Sequence, residues 1–234
     1  MQIKLIPVGP LQVNCAVVWG ENKEALVIDP GFDAPLITAC LDENDLNVAA
    51  YLLTHSHTDH INVLAELHAI RPAPVYIHAR DYPRAFRRQN RILPRYPAPR
   101  RPAAEFVHPE FPDLGNVAAK NSAEPKQKAS PEAVGSTVLK ISDLSFQCLE
   151  TPGHTPGGVC YWFEEEKICF TGDTLFKGSR GRVNPFVGDE KDLMRSLKKL
   201  AGLPPETRIV PGHGESTTIG YEMQTNPFMK RAAR

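Results

Sequence analysis

The segment Thr54-His55-Ser56-His57-Thr58-Asp59-His60 places three imidazoles and a carboxylate within six residues. Imidazole and carboxylate together are the common donors of catalytic zinc, and they also suit iron or manganese. His55 and His57 stand two apart, so in extended chain they point the same way. Asp59 and His60 are adjacent and aim elsewhere, toward a second position. Further along come His154 in Thr151-Pro152-Gly153-His154, Asp173 in Thr171-Gly172-Asp173, and His213 in Pro211-Gly212-His213-Gly214. Seven donors exceed the needs of one four-coordinate zinc with an open position. They suit two divalent metals sharing a bridging carboxylate. There is no Gly-x-Ser-x-Gly elbow to support serine catalysis. His68, His78 and His108 have no partner pattern and read as ordinary surface or core residues.

Such donors need rigid elements to aim them. Residues 48–53, Val-Ala-Ala-Tyr-Leu-Leu, read as a buried strand that ends at the histidine cluster. Residues 3–8, 13–19 and 25–28 read as three earlier strands, punctuated by Gly9-Pro10, Gly20-Glu21-Asn22 and Asp29-Pro30-Gly31. Residues 34–46 have near-helical spacing. Asp59 is a candidate cap for a following helix with Val63, Leu64, Leu67 and Ile70 on one face. After a short strand at 75–77, later strands are expected at 138–141, 144–149, 159–163, 168–170 and 208–210, with a helix at 191–203. Four strand ends thus deliver His or Asp, each beside Gly, Pro or a tight turn. Strands, then helix, then the same again predict two sheet layers with helices outside.

Eight arginines fall in residues 80–101, with Asp81 the only acid, and Arg80, Arg84, Arg87, Arg88 and Arg91 recur at helical spacing. That predicts one basic face, a solvated surface in preference to a phosphate or nucleic-acid contact. Pro94, Pro97, Pro99 and Pro102 oppose regular structure. The expected organisation is one domain over 1–234 with a flexible insertion at about 94–136, whose 116–136 stretch lacks aromatic residues. Formal net charge is zero, so no global field favours nucleic acid or membrane. Five scattered cysteines with no Cys-x-x-Cys argue against a disulfide framework and for buried apolar roles. With no signal-peptide core at the start and no long apolar run, a soluble cytoplasmic protein is expected.

Taken in order, His-x-His-x-Asp-His, a lone His, Gly-Asp-Thr and Pro-Gly-His-Gly resemble the pattern of the metallo-β-lactamase fold hydrolases, over about residues 3–228 apart from the stretch near 94–136. The resemblance implies an α/β (α+β) fold, the four-layer αββα sandwich, with metals at one edge. It implies a first metal on His55, His57 and His154, a second on Asp59, His60 and His213, and Asp173 bridging. Zinc is the first expectation, with iron or manganese as alternatives. Within the family, Gly172-Asp173-Thr174-Leu175-Phe176, Gly178-Ser179-Arg180-Gly181-Arg182, Thr217 to Glu222 and Thr225-Asn226-Pro227-Phe228 are similar to glyoxalase II of the short bacterial type. True β-lactamases of the fold usually place Cys where Asp173 stands.

The implied reaction is hydrolysis of S-lactoylglutathione, or a related thioester, by metal-activated water, with Asp59 orienting that water and taking its proton. Arg182 is the implied anchor for the glycine carboxylate of glutathione, and Lys177 a second cation for the substrate. The chain departs from the pattern at Asn62-Val63, where many relatives have Gly-Gly, and at Val183-Asn184 in the substrate loop. It also ends soon after Phe228, without the helical domain that completes the glutathione site in longer relatives. Two other activities occur on such a fold. An iron-dependent persulfide dioxygenase shares most ligands but tends to Pro-Ala-His in its last motif. A phosphodiesterase or nuclease would use the arginine-rich segment.

Overall fold

A computed structural model of the chain describes residues 1–91, 96–111 and 135–234. Gln2–Val8 (β1), Val13–Trp19 (β2) and Glu24–Ile28 (β3) form an antiparallel meander. The chain crosses over through Ala34–Glu43 (α1) to Asn47–Leu52 (β4), which lies parallel to β3. Thr58–Ile61 (α2) and Leu64–Ile70 (α3) lead to Val75–Tyr76 (β5), then Tyr82–Ala85 (α4) and Phe106–Val107 (β6). β5 and β6 continue the parallel edge, giving a first sheet in the order β1-β2-β3-β4-β5-β6.

Ser136–Ile141 (β7), Leu144–Glu150 (β8), Val159–Phe163 (β9) and Ile168–Gly172 (β10) form a second antiparallel meander. A small hairpin follows, Leu175–Phe176 (β11) with Ser179–Arg180 (β12). Glu190–Ala201 (α5) then crosses to Arg208–Pro211 (β13), parallel to β10, and Thr217–Thr218 (β14), Ile219–Thr225 (α6) and Pro227–Ala232 (α7) complete the chain. The second sheet runs β14-β13-β10-β9-β8-β7.

Alternation along the central strands builds the layers. Val17, Val27 and Tyr51 pack against Ile37, Leu41, Leu64 and Leu67 of α1 and α3 on one side of the first sheet. Val18, Leu26, Ile28 and Leu52 point the other way and meet Phe146, Tyr161, Phe163 and Phe170 of the second sheet. The outer side of the second sheet, with Cys160, Trp162 and Ile209, packs against Leu197, Leu200, Ile219 and Met229 of α5, α6 and α7. The architecture is therefore helices, sheet, sheet, helices, as the sequence led us to expect. Polar ties join the sheets at one edge. The Tyr161 hydroxyl donates to Leu53 O at 2.9 Å, Val159 N donates to Thr54 O at 2.8 Å, and Asn14 N donates to Gly212 O at 2.8 Å.

Several expectations change. Asp59 is no helix cap: it lies inside α2, where His57 takes the cap position, and its carboxylate turns toward His60 and His213. α2 and α3 are separate, and Ile70 is 50% exposed, off the packed face. α1 stops at Glu43, since Asp45 adopts a left-handed φ of 55° and the Asn44 amide donates back to Cys40 O. Residues 80–91 form no continuous basic helix face. α4 ends at Ala85, whose carbonyl is taken by the Asn90 amide at 2.7 Å, and Arg101 lies over the Tyr82 and Phe106 rings. Of the expected insertion, residues 96–111 run to β6, while Pro94, Arg95 and 112–134 lie outside the described residues. All five cysteines are buried and unbridged. Among the described residues, no helix is long and apolar enough to cross a membrane.

Candidate metal centre

All seven donor residues sit just beyond strand C-terminal ends, at the edge where the sheets are tied. His55, His57, Asp59 and His60 follow β4, His154 follows β8, Asp173 follows β10 and His213 follows β13. Glycine allows the close approach of these loops. A Cβ at Gly212 would stand 2.4 Å from Asp173 Oδ1 and 2.7 Å from His60 Cε1, so only glycine can precede His213.

The donors form two groups. Ligand atoms of His55, His57, His154 and Asp173 lie within 4.8 Å of one another, and so do those of Asp59, His60 and His213. In the first group His57 Nδ1 is 3.0 Å from His55 Nε2 and 2.9 Å from His154 Nε2. In the second, His213 Nε2 is 3.3 Å from His60 Nε2 and 3.4 Å from Asp59 Oδ2. Asp173 faces both: Oδ2 is 3.4 Å from His154 Nε2, and Oδ1 is 3.4 Å from His60 Nε2 and 3.6 Å from His213 Nε2.

The outward nitrogens explain why the inward ones are free. His154 Nδ1 donates to Arg182 O at 2.7 Å and His213 Nδ1 to Leu11 O at 2.8 Å. His60 Nδ1 donates to Asp29 Oδ2 at 2.9 Å. The Thr54 hydroxyl gives its proton to Asp29 Oδ2 at 2.6 Å, so its oxygen accepts from His55 Nδ1 at 3.0 Å. Each neutral ring so held presents a lone pair inward, the arrangement by which outer partners orient metal-binding histidines. His60 Nε2 and His213 Nε2 face each other at 3.3 Å, close enough to share a proton or to converge on one cation. Asp173 Oδ1 is buried with no hydrogen bond. The cluster therefore fits divalent metal.

Its electrostatics agree. Burial, and then the neighbouring His154, push the His57 pKa down to about 4, and burial with His60 drives His55 well below the usual imidazole value. Both are neutral near pH 7. Burial would do the same to His60, but the Asp29, Asp173 and Asp59 carboxylates outweigh it and hold that pKa well above the usual value. Burial opposes ionisation of Asp173 too, yet His60, His154 and His213 hold it well below the usual carboxylate range. The carboxylates thus favour positive charge at His60, while burial and the crowding of imidazoles keep His55 and His57 neutral.

Asp29 and Thr54 are the members that sequence reasoning missed. Asp29 was legible only as a turn residue after an apolar strand, and the left-handed φ of 50° that turns it toward the cluster is visible only in the structure. The two expected substrate cations stand differently. Arg182 is exposed beside His154 and meets it through its carbonyl, while Lys177 is exposed and paired with Glu215 at 2.5 Å. His68, His78 and His108 lie elsewhere, His78 against Glu150 and His108 on Ile77 O.

The sequence profile described as the Metallo-beta-lactamase superfamily matches residues 8–213, a span from the end of β1 through His213. The chain belongs to the metallo-beta-lactamase superfamily. Among curated members it is similar to hydroxyacylglutathione hydrolase GloC of Haemophilus influenzae, 33% identical with 98% of each chain covered. Among solved structures of the superfamily it is similar to the BLEG-1 B3 metallo-beta-lactamase, at 32% identity and a TM-score of 0.79, covering 97% of this chain and 99% of that one. It is also similar to TTHA1623 in a di-iron-bound form, at 35% identity and a TM-score of 0.68, covering 96% and 99%. A metallo-hydrolase of this superfamily, with a His/Asp cluster suited to divalent metal, is what the chain is.

Proposed function

We propose that the cluster holds two divalent cations, on His55, His57 and His154 and on Asp59, His60 and His213 with Asp173 shared, and that the enzyme hydrolyses a glutathione-linked thioester such as S-lactoylglutathione. The observation that carries the two-cation reading is the carboxylate of Asp173, one oxygen toward each trio. The full-length likeness to GloC supports the substrate class. Bound cations at such a site supply Lewis acidity, making water a nucleophile near neutral pH and polarising a carbonyl oxygen. Nitrogen and oxygen donors suit zinc, and equally iron or manganese.

The chain's own residues divide the remaining work. Asp59 is held ionised against its burial, chiefly by His60 and a hydrogen bond with His213. Its Oδ2, 3.4 Å from His213 Nε2, is the base that accepts the proton of the attacking water. Asp29 and the carbonyls of Leu11 and Arg182 keep the imidazoles from rotating. Arg182, an exposed residue on the loop that meets His154, is the proposed anchor for a substrate carboxylate. Lys177, engaged with Glu215, is the weaker anchor.

The purified, metal-loaded protein should consume S-lactoylglutathione, followed as loss of thioester absorbance, and should stop when a chelator is added. No turnover with metal bound would reject the substrate. Arg182→Ala should raise KM for a glutathione thioester more than for an uncharged thioester, by roughly tenfold for one charge-assisted contact; equal effects on both would remove the anchor role. The iron bound by TTHA1623 supports iron as a candidate metal, and with iron the second reading is a persulfide dioxygenase. Persulfide-dependent oxygen uptake by the iron-loaded protein would establish it in place of hydrolysis.

A further inference from the structure

We propose that Asp81 and Asn90, two polar residues set among the arginines of 80–101, are positioning residues that build the His55, His57 and His154 subsite. This rests on the reading that those three histidines hold a cation. Asp81 is fully buried. It stands before α4 but does not cap it, because its carboxylate is committed elsewhere. Oδ2 accepts from Ser56 N at 2.8 Å and Oδ1 accepts from Gly157 N at 2.7 Å. Ser56 is the residue between His55 and His57, and Gly157 lies three beyond His154. One carboxylate thus spans the two loops whose separation fixes how far His154 stands from the histidine pair.

Asn90 completes the hold on Ser56. Its amide donates to Ser56 O at 2.7 Å and to Ala85 O at 2.7 Å. Both backbone groups of Ser56 are therefore held by side chains distant in sequence, one on each side. The peptide planes that set the directions of His55 and His57 cannot turn independently. The close approach is enforced on the other loop as well. A Cβ at Gly157 would fall 2.7 Å from Asp81 N and 2.8 Å from His78 Nδ1, which itself accepts from Arg80 N at 3.0 Å. The Asp59, His60 and His213 trio shares no hydrogen bond with this brace among the described residues; it is held by Asp29 and Leu11.

The brace can be tested with metal alone. Wild-type protein, Asp81→Asn and Asn90→Ala are stripped and titrated with Zn²⁺ against a competing chelator, and the melting of each metal-free protein is recorded. Asparagine at 81 keeps the shape but turns an N–H toward one of two N–H donors. We expect wild type to bind two equivalents. In Asp81→Asn, one equivalent should weaken about 10–100-fold, the usual cost of losing an outer partner, with the other unchanged. Asn90→Ala should weaken the same equivalent less, because its half-buried site lets water reach Ser56 O. A purely structural role would instead lower the metal-free melting temperature and leave both affinities alone, and that result overturns the inference. If Asp81→Asn does not fold, Asn90→Ala decides by the same criterion. Wild type that fails to bind two equivalents overturns the two-cation reading itself, and this inference with it.

Discussion

Asp173→Ala is expected to bind no second cation and to lose hydrolytic activity by more than about 100-fold, beyond the range typical of losing an outer partner. The reason is geometric. Oδ2 closes the group of His55, His57 and His154, and Oδ1 closes the group of Asp59, His60 and His213. Removing the carboxylate leaves each trio of donors without its shared oxygen and leaves the cluster with one negative charge fewer. Zinc content after dialysis, read beside turnover of S-lactoylglutathione, separates the causes. A variant with two tightly held ions and full turnover would end the bridging role. A variant with two ions but no turnover would move Asp173 from holding metal to the chemistry itself. Asp173→Asn, close in shape but uncharged, should fall between alanine and wild type.

Asp29→Asn should both destabilise the metal-free protein and weaken the second cation. Asp29 accepts from Thr54 N at 2.8 Å, from the Thr54 hydroxyl at 2.6 Å and from His60 Nδ1 at 2.9 Å, in a buried setting. Asparagine tolerates the left-handed φ of 50° there, so the backbone is not the cause of any loss. Its amide group must nevertheless face one of three donors. The expected cost is about 1–3 kcal/mol for the donor left unsatisfied in the interior, measured by urea unfolding of the stripped protein. Zinc affinity at the Asp59, His60 and His213 trio should drop about 10–100-fold as His60 loses its orienting partner. Unchanged stability together with unchanged affinity would show that Asp29 neither anchors the loop nor orients the ring.

What could be foreseen follows the reach of local pattern. β2 and β9 have the bounds that their apolar runs suggest, and the seven donors stand at strand ends as their Gly- and Pro-rich neighbours imply. The layered architecture was legible for the same reason. The roles of Asp29 and Asp81 were not, because each depends on partners at least 25 residues away, such as Thr54 for one and Ser56 for the other. Composition even misdirected: Asp81 read as a lone acid among arginines, yet its charge serves two backbone N–H groups. α6 and α7 had local signals that went unused. Thr218 caps Tyr221 N, and Asn226 caps Phe228 N with Pro227 in the first turn. The basic face at 80–91 failed because spacing alone does not see Asn90 folding back on Ala85.

The division of donors between the two sheets has a bearing on how long the protein lasts. His55, His57, Asp59 and His60 belong to the half of the chain that makes the first sheet, and His154, Asp173 and His213 to the half that makes the second. Each proposed cation draws donors from both halves and so acts as a bolt between them. By mass action, an ion present at a thousand times its dissociation constant adds about 4 kcal/mol against separation of the halves. That is a sizeable share of the roughly 5–15 kcal/mol that keeps an ordinary domain folded. In a metal-starved cell the enzyme would do more than fall idle: it would open more often and be cleared by proteases, so that its abundance, as well as its activity, would follow the metal supply.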